Sequence, residues 1–214
     1  FRLEQNFAFP YFSRNIAEFW RRWHISLSTW FRDYLYIPLG GSRGSTLKKI
    51  KNFFIIFLVS GFWHGANWTF IVWGGLNALY FLPDMLRNKN RMYIDVIGSN
   101  TSIPPLREII GVFVTFGLTV LAWIFFRAEN VPHALSYLAK VFSSSLFVIP
   151  EFRPLNLLVL ILLFMVVEWM GRKREFAISQ PRLPKVLELL FYYLIILTIY
   201  FYGNFGTSIE FIYF

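Results

Sequence analysis

Apolar residues run almost unbroken through positions 53–82, FFIIFLVSGFWHGANWTFIVWGGLNALYFL, and His64 stands among them with no charged side chain within ten residues on either side. These 30 residues exceed the roughly 20 that one helix needs to cross a bilayer and fall short of two ordinary crossings. Gly61, Gly65 and Asn67 bracket the histidine. The pattern therefore predicts a break there, with two short helical pieces meeting inside the membrane, where irregular backbone is tolerated if it lines a cavity rather than lipid. An ionisable side chain at that depth faces protein or a water-filled cavity and marks a candidate functional site. One long tilted helix is the competing arrangement.

Three later apolar runs, 108–126, 155–170 and 186–202, are each near spanning length. Upstream, residues 13–36 can be laid on one helical wheel at about 100° per residue. Ile16, Trp20, Trp23, Leu27, Trp30, Phe31 and Tyr34 fall in one arc, and Arg14, Glu18, Arg21, Arg22, Thr29, Arg32 and Asp33 in the other. This pattern predicts an amphipathic helix lying in the membrane interface, with His24 at the edge of its aromatic face. Residues 37–51 form a glycine-rich basic loop without the Gly-Lys-Ser/Thr ending of a nucleotide loop.

Composition extends this picture. The 214 residues are 56% hydrophobic and 15% charged, which points to an all-α polytopic integral membrane protein. The net charge of +9 sits in short Lys/Arg clusters between apolar runs, so it marks topology and not nucleic-acid binding. Lys48, Lys49 and Lys51, residues 87–107 with Arg87, Lys89, Arg91 and Arg107, and the loop holding Arg172, Lys173, Arg174, Arg182 and Lys185 read as cytoplasmic. Residues 127–153 mix Arg127, Lys140 and Arg153 with Glu129 and Glu151 and are the better outside segment. With both flanks cytoplasmic, residues 53–82 enter and return, and His64 sits near the apex of a hairpin. The absence of cysteine excludes a disulfide framework, a thiolate metal site and a cysteine-linked acyl intermediate on this chain. The opening at Phe1 suggests the C-terminal part of a longer protein.

An imidazole removed from water favours its neutral, proton-accepting form, which suits a general base. His64 is that candidate; the plainer reading is a packing histidine that donates to a nearby carbonyl. His24 alone reads as an interfacial side chain satisfied by water or headgroups, and His133, after Pro132, as a solvated or capping residue. No pairing of histidines or carboxylates has zinc-ligand spacing, and no metal is expected.

Two segments, FWRRWHISLSTWFRDYLYIPLGGSR at 19–43 and GFWHGANWTFIVWGGLNALY at 61–80, resemble the membrane-bound O-acyltransferases (MBOAT), in the bacterial branch that includes alginate O-acetylation and teichoic acid D-alanylation. Weaker likeness extends to LAWIFFRAEN at 121–130 and to the terminal FIYF. The resemblance implies that residues 1–214 are the C-terminal part of one multi-helix transmembrane domain in a bacterial cytoplasmic membrane. It implies transfer of an acyl group, acetyl foremost, from a thioester donor (acyl-CoA or carrier-bound) to a hydroxyl of a cell-envelope or exported polysaccharide, without a bound cofactor. On the matching positions His64 becomes the catalytic base and His24 the second polar residue of the site, where distant eukaryotic members carry asparagine. Trp63, Asn67 and Trp68 are candidates for lining the substrate tunnel. The lipid bilayer, the polysaccharide and an extracytoplasmic transfer partner or acyl carrier are the implied partners. D-alanyl transfer to teichoic acid is the nearest alternative. A transporter or channel with a histidine relay is the alternative from another class, disfavoured by the sparse polarity inside 108–126 and 155–167.

Overall fold

The structure, a computed structural model, describes residues 5–99, 103–149, 153–178, 184–203 and 205. The terminal FIYF, Glu151 and Arg182 lie outside the described residues. Every regular element among them is helical. Contacts divide the chain into two units, Phe1–Leu155 and Asn156–Phe214.

The first unit is built on two helices, α3 (Thr46–His64) and α4 (Trp68–Leu86), joined by a three-residue turn at Gly65 to Asn67. Ser45 caps α3 by accepting from the Lys48 amide, and Asn67 caps α4 by accepting from the Thr69 amide. The Phe53 and Phe81 rings stack at 4.6 Å, so the start of α3 lies beside the end of α4 and the pair is an antiparallel hairpin with His64 at its tip. The return expected from the basic flanks is therefore present, but the expected short pieces are not: each helix has 19 residues. Counting only apolar residues undercounts, because α3 begins seven residues earlier, in the basic loop, and α4 runs past Pro83 at the cost of one backbone bond.

The pair packs through missing side chains. A Cβ on Gly61 would lie 2.3 Å from the Phe70 carbonyl oxygen, and one on Gly74 2.2 Å from that of Phe57. Between membrane helices lipid removes the hydrophobic drive, so close backbone approach at small residues carries association. Most residues buried on α4 and α5 (Leu106–Arg127) follow the same rule: Thr69, Gly74, Asn77, Ala78, Thr115, Thr119 and Ala122 are small or polar, with Trp73, Phe81 and Phe125 as the large exceptions. Asn77 donates to the Trp73 carbonyl and Thr119 to that of Thr115, so their polar groups are met within their own helices. Asn67 donates across to the Glu129 carbonyl, which brings the end of α5 to the His64 tip. Helix α6 (Val131–Val141) follows, capped by Asn130; the loop expected over 127–153 is thus partly helical.

The single interfacial helix expected at 13–36 is not formed. The chain makes α1 (Ile16–Arg22), breaks at Trp23 and His24, then makes α2 (Ile25–Phe31) and a π-helical turn, Arg32–Tyr36. Its polar arc is divided: Glu18 is 1% exposed and Arg14 8%, with Arg21, Arg32 and Asp33 outside, while Trp30 and Tyr34 of the aromatic arc are 52% and 69% exposed. The wheel ranks residues by polarity alone and misses that Glu18 accepts from Arg14, Arg22 and the Arg14 amide, with Arg14 also bridging to Glu108 of α5 at 3.1 Å. A buried carboxylate so paired is a packing element.

In the second unit, α7 (Leu155–Gly171) and α8 (Lys185–Tyr202) are apolar around most of their circumference. Among the described residues α5 and α8 are long and apolar enough to cross a membrane, and α7 is apolar but shorter.

Gly61→Ala and Gly74→Ala should each destabilise the protein by about 1–3 kcal/mol, because a buried backbone carbonyl stands where the methyl would go. Gly117→Ala, whose added Cβ meets nothing within 4 Å, should be neutral or stabilising by up to ~1 kcal/mol. Thermal unfolding of the full-length protein in detergent checks the contrast. Glu18→Ala should cost about 3–5 kcal/mol in the same assay, since it removes the buried carboxylate that Arg14 and Arg22 share.

Candidate functional site

His64 ends α3, half-buried, where Gly65 at φ 155° turns the chain. A left-handed or extended-mirror conformation of that kind is open to glycine, and a Cβ at Gly65 would also strike the Phe70 ring at 2.6 Å. The imidazole is surrounded by rings: Trp63 at 4.9 Å, Phe126 of α5 at 5.0 Å, Trp73 of α4 at 5.2 Å and Phe70 at 6.4 Å between centroids. Three helices thus meet around one polar side chain.

His24 occupies the break between α1 and α2. Its backbone is left-handed (φ 48°, ψ 57°), a conformation that costs a non-glycine residue of the order of 1 kcal/mol and that histidine tolerates better than bulky or β-branched residues. The bend is held by the Ile25 amide, which donates to the Asn6 carbonyl, and by the Ala8 amide, which donates to the Arg22 carbonyl. Strain retained against such a cost points to a positioned side chain. Among the described residues the buried Nδ1 of His24 has no hydrogen-bond partner. Partial burial lowers the pKa of His24 from the ordinary imidazole value, which favours the neutral ring.

The two histidines stand on separate segments, His64 at the α3–α4 tip and His24 at the break between α1 and α2. The wall that connects them is aromatic. Trp73 packs on Trp20 at 5.8 Å, Trp20 on Phe19 at 5.6 Å, Phe19 stacks on Trp23 at 5.5 Å, and Trp23 lies 5.3 Å from Trp123 of α5. Trp63 contributes a ring to this setting. Asn67 acts through its cap and its bond to the Glu129 carbonyl. Trp68 is 74% exposed and is not among the rings packed on His64. Trp73, Phe126, Trp20 and Trp123 were not singled out from the sequence. LAWIFFRAEN, which contains Trp123 and Phe126, was the available signal.

Two cavities open on this wall. One, of about 280 Å³, runs between α1, α2, α3 and α4; Trp20, Phe31, Phe57 and Ser60 form its interior and Arg21, Arg32 and Arg91 its charged rim. Because Arg21 of α1 and Arg32 after α2 line the same space, the break at His24 folds this segment back on itself. The other, of about 370 Å³, lies at the end of α5 against α6. Among the described residues no three His, Cys, Asp or Glu side chains converge as a metal site.

Comparison with known proteins adds to this geometry. Residues 5–92 match the model of the MBOAT, membrane-bound O-acyltransferase family. The chain is 40% identical to the probable alginate O-acetylase AlgI of Pseudomonas aeruginosa over 186 residues, covering 85% of this chain and 33% of that protein. It is 43% identical to the peptidoglycan O-acetyltransferase of Helicobacter pylori over 137 residues, 64% of this chain and 24% of that one. To the teichoic acid D-alanyltransferase of Streptococcus thermophilus it is 31% identical over 133 residues, 56% and 32% respectively. The chain spans between about a quarter and a third of the length of these curated relatives.

The backbone at position 24 gives a test independent of chemistry. His24→Asn should fold with stability near that of the parent, because asparagine accepts the left-handed conformation, whereas His24→Val should lose about 1–2 kcal/mol. Thermal unfolding in detergent reads the difference.

Proposed function

We propose, for a chain whose residues 5–92 belong to the membrane-bound O-acyltransferase family, that it carries the catalytic histidines of a membrane protein that transfers an acyl group to a hydroxyl of a polysaccharide. The observation that supports this reading best is the one aromatic wall that runs from His64 through Trp73, Trp20 and Phe19 to Trp23, the neighbour of His24, on a separate segment of the chain. Acetyl is favoured over D-alanine as the group transferred, because the O-acetylating relatives are 40–43% identical and the D-alanyltransferase 31%.

In this reading the donor is an acyl thioester, free as acyl-CoA or borne by a carrier or partner protein. Its apolar acyl end enters the arginine-rimmed cavity between α1 and α4, with the phosphates of its carrier arm at Arg21, Arg32 and Arg91. Ser60 lines that cavity one helical turn before His64 on α3, so the cavity leads towards the imidazole. The neutral His64 takes the proton of the attacking hydroxyl as the oxygen bonds to the thioester carbonyl carbon. The tetrahedral oxyanion then collapses, the carbon–sulfur bond breaks, and the thiolate leaves as a thiol with the proton returned by the His64 imidazolium. His24 orients the reacting groups and meets the developing charge. The rings around His64 limit the access of water, which would hydrolyse the donor. The basic ends, Lys48 to Lys51 and Arg87 to Arg91, face the cytoplasm of a bacterial inner membrane, and the His64 tip lies towards the opposite side.

The test is the O-acyl ester content of the exported or cell-envelope polysaccharide, measured on the full-length protein expressed with its cellular partners at matched levels. His64→Ala should lower ester content by about 10²- to 10⁴-fold, and His24→Ala by a smaller factor. Ester content unchanged in His64→Ala would remove the proposed base.

A further inference from the structure

The second cavity is separate from the arginine-rimmed one and has a different character. It is formed where α5 ends and α6 begins, and Trp123, Arg127, His133 and Tyr137 line it with the aliphatic Val120 and Ile124. The sequence dictates this grouping. Val120, Trp123, Ile124 and Arg127 recur at three- and four-residue spacing and so share one face of α5. Pro132 in the first turn of α6 and the Asn130 cap on the His133 amide start the next helix at once, which sets His133 and Tyr137, four residues apart, on one face of α6 opposite them.

Trp123 is half-buried and Arg127, His133 and Tyr137 are exposed, so the cavity has an aromatic floor and a polar rim. The Arg127 guanidinium makes no ion pair or hydrogen bond with another described residue. No carboxylate lines the cavity, and Lys140 lies a further turn along the His133–Tyr137 face. A volume of about 370 Å³ suits a small ligand or one or two rings of a longer one. Its floor is joined to the candidate site: Trp123 contacts Trp23, the neighbour of His24, and Phe126, next to Arg127, contacts His64.

We propose that this cavity is the acceptor subsite and that it binds an acidic sugar, with the pyranose face on Trp123 and its carboxylate held by Arg127. This inference rests on the acyl-transfer reading for the word acceptor, but the binding itself does not need turnover. A flat guanidinium fork pairs with a carboxylate through two parallel hydrogen bonds, which a neutral sugar cannot return. His133 and Tyr137 supply the donor and acceptor groups that sugar hydroxyls require. The subsite lies at the His64 end of the hairpin, away from the arginines that rim the other cavity, so the two substrates approach the histidines from different ends.

The experiment measures calorimetric binding to the full-length protein in phosphatidylcholine nanodiscs, with an alginate hexasaccharide and neutral cellohexaose as probes. The acidic probe should bind roughly ten- to hundredfold more tightly than the neutral one, and Arg127→Gln should abolish that preference, with Arg127→Lys between. The acidic probe should bind His64→Ala as it binds the parent. Equal binding of the two probes to the parent protein, no binding of either, or an undiminished preference in Arg127→Gln would overturn the subsite. Should His64→Ala keep full ester formation while Arg127→Gln loses the preference, the proposed base fails and the subsite stands.

Discussion

A carboxylate with almost no contact with solvent holds the first unit together. Glu18 is 1% exposed, and a charge so placed is tolerated only when its oxygens are fully engaged. They accept from Arg14, Arg22 and the Arg14 amide, while the Glu18 amide donates to Asn15. Arg14 passes the restraint on to Glu108 in the first turn of α5 and to the carbonyl of Asp95, and Arg21 adds bonds to the carbonyls of Asn90 and Tyr93. The base of α1 is therefore fixed to α5 and to the segment after α4. A helix of seven residues is too short to be stable by its own hydrogen bonds, so this network is what places Trp20 against both apolar clusters and sets the break at His24 beside Trp123.

The α3–α4 hairpin is secured by a different constraint. Large apolar side chains gain little from meeting one another when the alternative neighbour is lipid, so the helices approach where side chains are absent, at Gly61 and Gly74. This close approach has a consequence at the tip. With the backbones locked a turn on either side, the three-residue connection has little freedom, and the ring of His64 is presented to Trp73 and Phe126 in one orientation. The ion network orders one histidine and the glycine contacts order the other.

What could be read from the residues follows the same division. The apex position of His64 was legible, because an uninterrupted apolar run bracketed by glycines and basic clusters has few ways to return. The length of its two arms was not: Thr46 to Asn52 and Pro83 to Leu86 join the helices although they include three lysines, an aspartate and a proline, since capping by Ser45 and continuation of the packed pair outweigh composition. The spans near 108–126, 155–170 and 186–202 emerged within two residues of their helical ends, as periodic apolar segments should. The wheel over 13–36 misassigned Glu18 and Arg14 because it treats a helix as facing only water or lipid, and a partner such as Glu108, 94 residues away, is invisible to it. The left-handed His24 was equally hidden, for no glycine announces the turn. Trp123 and Arg127 lay within a stretch already marked by its likeness to a family, yet their cavity exists only once α6 folds back from Asn130.

Placement of charge also bears on why such a site would serve transfer and not transport. A relay through a membrane needs polar side chains continued along the spanning helices. Here Asn77 and Thr119, buried in α4 and α5, donate to backbone carbonyls of their own helices, and the histidines are flanked by the rings of Trp73, Phe126, Trp20 and Trp123. The two cavities approach that wall separately, one with three arginines at its mouth and one with a single arginine over a tryptophan floor. A solute crossing the protein would have to strip its charge against a continuous aromatic surface. In the proposed reading a group small and neutral enough to be handed across it, such as an acetyl, meets no such barrier, because the charged parts of donor and acceptor would stay at the arginines.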